Sequence, residues 1–270
     1  MERELPIIKI EGTEFLLDVG QVLLIEKDNP ENTISFFEMR DKGNGYSFDY
    51  NRKSHNIPAP WDKAEDNVRI ELLQLIEMDP DGMAKKYGLP LKDIHGKSDL
   101  DVMVDSMALE QRLKGRLTTV DIAGHIFYVD IPMDKLRPKD DFLSKGIPFK
   151  DIDHYFDDEK QKYIIPYNPE KHEFQEIDTE NLVEVPKDLF LIAFPGEWHL
   201  DPIGYNRKHG RDLMSGLKET SISPHFVAKI MHWKEIGIQD IIEENRKRLG
   251  VHKSDDPPQK ASRQRKGRGI

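Results

Sequence analysis

A ten-residue stretch occurs twice in this chain, as DPDGMAKKYG at Asp79 to Gly88 and as DPIGYNRKHG at Asp201 to Gly210. Two further blocks keep the same order ahead of it. LPIIKIEGTEFLLDV (Leu5 to Val19) aligns with LTTVDIAGHIFYVDI (Leu117 to Ile131), and YSFDYNRKSH (Tyr46 to His55) with YIIPYNPEKH (Tyr163 to His172). Across the three blocks 14 of 35 aligned positions are identical, where chance alone supplies about two. Both gaps between blocks lengthen by five residues in the second copy, as loop insertions do. The chain reads as a tandem duplication, and any fold proposed for it must be one that a module of roughly 95 residues can adopt twice.

Each block dictates a local structure. Ile8, Ile10, Phe15, Leu17 and Val19 alternate with polar residues about Glu11-Gly12, and Val120, Ile122, Phe127, Val129 and Ile131 do so about Ala123-Gly124. A period of two puts the apolar residues on one face, so each block predicts a hairpin with a buried face and a turn glycine at positive φ. Tyr46, Phe48 and Tyr50, like Tyr163, Ile165 and Tyr167, predict a further strand, and Gly43-Asn44-Gly45 a turn before the first of them. Val68, Ile70 and Leu72 begin another strand. Its counterpart is either Leu182 to Val185 or Leu189 to Phe194.

The Asp-Pro block predicts a two-turn helix. Asp79 and Asp201 suit the N-cap, Pro80 and Pro202 the first helical position, and Gly88 and Gly210 the left-handed C-terminal position. Paired catalytic aspartates are the alternative, and capping accounts for more of the residues. Ser98 to Lys114 reads as one amphipathic connecting helix opened by a Ser98/Asp101 capping box, and Lys234 to Leu249 as a second helix. SPHFVAKIMHW, Ser223 to Trp233, fits neither period cleanly.

The expected fold class is α+β: a duplicated, mostly antiparallel sheet with a short helix, the copies related by a pseudo-twofold axis. The expected organisation is a first module at 1–94, a connecting helix at 95–116, a second module at 117–212, a helical region at 213–250 and a disordered basic tail at 251–270. There are no cysteines, which excludes disulfides and thiolate metal sites. No apolar run is long enough for a signal peptide or a membrane span, so the expected setting is cytoplasmic. The net charge of −10 conceals a tail that carries +4. If the protein touches nucleic acid, Arg263, Arg265, Lys266 and Arg268 would do so.

For chemistry, His199, Asp201 and His209 form the best metal-ligand set, with Glu197 nearby, and would suit a metal-assisted hydrolase. Copy one has no matching donors. No phosphate-binding loop, dinucleotide fingerprint or serine-nucleophile elbow is present, and no cofactor is implied. The phrases LPIIKIEGTEFLLDV, DIAGHIFYVDIPMDKLRPKDDFLSKGI and YIIPYNPEKHEFQEID resemble an uncharacterised protein family encoded on integrative and conjugative elements of gut Bacteroidota. The resemblance runs from Met1 to about Gly250 and implies a setting, a mobile-element accessory protein, without implying an activity. The favoured expectation is a non-enzymatic adaptor that presents duplicated modules to a protein partner. The alternatives are the hydrolase and a nucleic-acid-binding protein acting through its tail.

Overall fold

In the computed structural model, which describes residues 3–251, the chain is an α+β protein. Its first half runs β1 (Ile7–Ile10), β2 (Thr13–Asp18), β3 (Leu23–Glu26), β4 (Thr33–Ser35), β5 (Arg40–Asp41), β6 (Tyr46–Asn51) and β7 (Asn67–Leu72). The helices α1 (Leu75–Met78), α2 (Pro80–Tyr87), α3 (Asp99–Met103) and α4 (Ser106–Leu113) follow. Two sheets result, ordered β1-β2-β3-β4 and β5-β6-β7, with every pairing antiparallel.

The second half begins with β8 (Thr119–Ile122), β9 (His125–Asp130), β10 (Lys135–Pro138), β11 (Ile147–Pro148) and α5 (Phe149–Ile152). It continues with β12 (Phe156–Asp157), β13 (Lys162–Asn168), β14 (Glu173–Phe174), β15 (Phe190–Pro195), α6 (Glu197–Leu200), α7 (Pro202–Lys208) and α8 (Leu217–Thr220). The chain then closes with β16 (His225–Val227), β17 (Lys229–Met231) and α9 (Ile238–Leu249). One sheet runs β11-β10-β9-β8-β16 and the other β12-β13-β15-β17, with β14 on β13. The β8–β16 pair is parallel. Of the two segments open as the counterpart of β7, the chain uses Phe190–Pro195, which pairs with β13 as β7 does with β6.

Turn chemistry fixes the hairpins. Glu11 and Gly12 take φ of 48° and 90°, and Ala123 and Gly124 take 53° and 91°. Both residues of each turn are left-handed, as a two-residue primed turn requires to match strand twist. The alternating residues turn inward as their period dictates: Phe15 and Leu17 in one core and Phe127 and Val129 in the other are fully buried. The first core also takes in Ile203, Leu217 and Ile222 from the second half. The halves therefore share packing rather than hanging on a linker.

Three local expectations are corrected. The span 98–114 is two helices, because Val104 is extended (φ −122°, ψ 131°) and Asp105 starts a new helix, accepting from the Met107 and Ala108 N–H groups. The helix expected from Lys234 breaks at Gly237, whose φ of 70° separates a 3₁₀ turn (Trp233–Ile236) from α9. Region 213–250 is not wholly helical. Its residues 225–231 are strands that complete both sheets of the second half. Among the described residues no helix is long and apolar enough to cross a membrane. The candidate nucleic-acid residues Arg263, Arg265, Lys266 and Arg268 lie outside the described residues.

Candidate functional site

Both Asp-Pro blocks form the same capped helix. Asp79 (φ −149°, ψ 70°) and Asp201 (φ −148°, ψ 79°) accept the N–H of Gly82 and Gly204, each at 3.0 Å, and Pro80 and Pro202 follow at the first helical position. Gly88 closes α2 at φ 65°. In the second half α7 ends one residue earlier, with His209 as its C-cap and Gly210 at φ 64° beyond it.

Behind each cap sits an arginine that local sequence does not announce. Arg112, only 4% exposed, grips fully buried Asp201 with its Nε and Nη2 at 2.9 and 2.7 Å. Arg3 grips Asp79 with two prongs as well, end-on through Nη1 and Nη2. The two-pronged geometry matches a planar guanidinium to a carboxylate. It also explains the glycines. A Cβ on Gly82 would fall on the Asp79 carboxylate and lie 2.6 Å from Arg3 Nη2, and one on Gly204 would fall on the Asp201 carboxylate. The unexplained signal in the sequence was glycine at the third helical position, where helix propensity disfavours it.

The Tyr-Asn-x-x-x-His blocks share a second device. Asn51 Oδ1 accepts from the Lys53 and Ser54 N–H groups, and Asn168 Oδ1 from those of Glu170 and Lys171. His55 and His172 then take left-handed φ of 53° and 57°. Each turns its Nδ1 to a carboxylate, Glu26 at 2.7 Å and Asp141 at 2.9 Å. These are clasps, one tying its turn to the end of β3 and the other to the loop between β10 and β11.

The proposed metal ligands do not assemble. Asp201 is engaged through both oxygens by Arg112, His199 lies beside Trp198, and His209 is exposed against the Tyr205 ring. Among the described residues no group of three His, Asp or Glu side chains is placed to hold a metal ion. Instead Glu197, Tyr163, His199 and Arg211 line a hollow of about 290 Å³. Burial raises the Glu197 carboxyl above its ordinary pKa, with Lys208 opposing the shift, and burial lowers the His199 imidazole. Lys208 bridges Asp134 at 2.6 Å and Glu197 at 3.5 Å.

A cavity of about 720 Å³ lies between the halves. Phe36, Phe37, Met39, Tyr46 and Leu100 come from the first half, and Trp198, Met214 and the Gly216 turn from the second. Of its charged groups, Lys218 reaches Asp41 at 2.9 Å and lies over the Tyr46 ring at 4.8 Å, and burial raises the Glu219 carboxyl above its ordinary pKa. Tyr46 donates in turn to Asp99 at 2.6 Å. Asp99, fully buried, also accepts the Leu75 and Ile76 N–H groups at the start of α1, so the cavity floor is rigidly tied to the helices below it. Gly216 takes φ of 75° and packs directly on Trp198, where a Cβ would come 2.6 Å from the indole. Trp198 borders both this cavity and the Glu197 hollow. Sequence alone could not find this site, because residues as far apart as Phe36 and Glu219 line it together.

Comparison with protein-family models, curated proteins and solved structures finds no match to this chain.

Proposed function

We propose that the protein is a non-enzymatic adaptor whose two halves, copies of one duplicated module related by a pseudo-twofold axis, grip an extended segment of a partner protein in the cavity between them. The duplication is supported by 14 shared identities and by the matching strand orders, turn angles and arginine-clamped caps of the two halves. The mobile-element setting implied by the family resemblance belongs to the same proposal.

One observation carries the binding role: a cavity of about 720 Å³ is walled by both halves with aromatic, Met and Leu side chains, and its Lys218 is engaged by Asp41. A cleft of this kind suits apolar anchor side chains, with polar groups left to fix orientation. Glu197 and His199, whose pKa values are shifted, lie in the neighbouring hollow, and Glu219, whose carboxyl is raised, lines the cavity itself; burial is the chief cause of all three shifts, which a structural role explains as well as a catalytic one.

A photo-crosslinking residue placed at Phe37, 39% exposed at the cleft, tests the role against the same group at Lys187, whose side chain is 83% exposed. A partner is identified from the crosslink and reconstituted from purified components. Crosslinking at Phe37 and not at Lys187 supports the cleft. Equal crosslinking at both positions, or none at Phe37, contradicts it.

A further inference from the structure

The two halves differ in what covers their sheet edges. In the second half the ribbon 225–231 closes both. Its first strand lies parallel on β8, with Thr119 N–H donating to Pro224 O at 3.1 Å and Ala228 N–H donating to Asp121 O at 2.8 Å. Its second strand lies antiparallel on β15, pairing Leu191 with Met231 and Ala193 with Lys229. Ala228, at the crossing between the sheets, is buried in the second core.

The matching edges of the first half are β1 and β7, and among the described residues neither has a strand beside it. Leu17 N–H donates to Pro6 O and Ile10 pairs with Thr13, so Pro6, Ile8 and Ile10 face β2. The main-chain groups of Ile7 and Lys9 then point outward, as do those of Thr119 and Asp121 in the second half. On β7, Arg52 N–H donates to Asp66 O, which leaves Arg69 and Glu71 facing outward where Leu191 and Ala193 do so on β15. The side chains tell the same story. Val120, Ile192 and Phe194 are at most 1% exposed under the ribbon, whereas their counterparts Ile8, Ile70 and Leu72 are only partly buried.

Unpaired edges beside incompletely covered apolar side chains are acceptor sites for an added strand. We propose that β1 and β7 accept an extended polypeptide segment from a partner protein, parallel to β1 and antiparallel to β7, in the way the chain's own ribbon closes its second half. The occupant is specified by that ribbon: a large apolar residue followed two positions later by a small residue at the crossing, as Phe226 and Ala228 are spaced and packed on the second core. The inference rests on the adaptor role and adds a second contact with the partner, outside the cleft.

The probe is a synthetic peptide of residues 222–232, ISPHFVAKIMH, titrated to millimolar concentration against the full chain and followed by hydrogen exchange with mass spectrometry. Saturable slowing at residues 5–10 and 67–73 is expected. Lys9→Pro removes one outward N–H without touching the β1–β2 pairing and should weaken binding at least tenfold. A peptide N-methylated at its alanine, which loses the donor that meets Asp121 O in the second half, should weaken binding as much on the unmodified protein. No slowing at those two segments, or undiminished binding in both tests, overturns the strand acceptor. Slowing confined to residues 36–46 and 212–219 overturns it while leaving the cleft and the adaptor role standing.

Discussion

Arg112→Leu isolates the cost of leaving the second cap's carboxylate alone in the core. Asp201 is fully buried, both its oxygens bind Arg112, and its Oδ1 also holds the Gly204 N–H. Removing one partner of a buried ion pair strands the other charge, which costs about 3–5 kcal/mol. That is a large share of a typical stability of about 5–15 kcal/mol. Arg3→Leu should cost less, about 1–2 kcal/mol, because Arg3 is 30% exposed and water can approach Asp79 in its place. Adding Asp201→Ser to Arg112→Leu removes the stranded charge and keeps a capping oxygen, so the double variant should recover much of the loss. Urea unfolding midpoints at constant slope report all three. An Arg112→Leu loss below about 1 kcal/mol, or a double variant no more stable than the single, would refute the assignment of the pair as a clamped cap.

Three further outcomes follow from the geometry. Gly204→Ala, favourable by about 1 kcal/mol in an ordinary helix interior, should instead destabilise by about 2–4 kcal/mol in thermal unfolding, since its Cβ would displace the Asp201 carboxylate. Glu11→Asn should raise stability by about 0.5–1 kcal/mol in the same assay, because Asn tolerates the left-handed φ of 48° better than Glu. The His199 imidazole is held below its ordinary pKa by burial. Its stabilising share is thus complete above about pH 6.5 and is lost as pH falls toward the lowered folded value. His199→Gln should flatten that part of the stability profile, and an unchanged slope between about pH 6.5 and 5 would contradict the burial.

Legibility varied with the range of the interaction that decides each feature. Alternation about Glu11-Gly12 and Ala123-Gly124 was sufficient for both hairpins, since a strand's buried face is written at every second residue. The caps at Asp79 and Asp201 were legible because capping is completed within three residues. The break at Val104 was hidden because the apolar stripe of 98–114 continues through it, and only the cap contacts of Asp105 reveal the restart. Gly237 falls inside the helix expected over 234–249, and its φ of 70° ends the 3₁₀ turn there. Residues 225–231 lacked a clear period because β16 and β17 lie on different sheets and the chain crosses between them at Ala228. The candidate site was the least legible part. Arg112 finds Asp201 across 89 residues, and the cleft joins Phe37 to Met214 through the shared packing of the halves. His199, Asp201 and His209 looked like a metal set by spacing, yet spacing carries no record of the arginine that engages the aspartate.

The most direct measurement is the affinity of the reconstituted partner for the unaltered protein, for Phe37→Asp and for Met214→Asp, taken by titration calorimetry with unfolding curves as a check on folding. Each substitution places a charge where the cleft offers an apolar wall from one of the two halves. Both variants should lose at least about tenfold in affinity if the cleft holds the partner. Unchanged affinity in two folded variants would contradict it and remove the cavity between the halves as the site of partner binding.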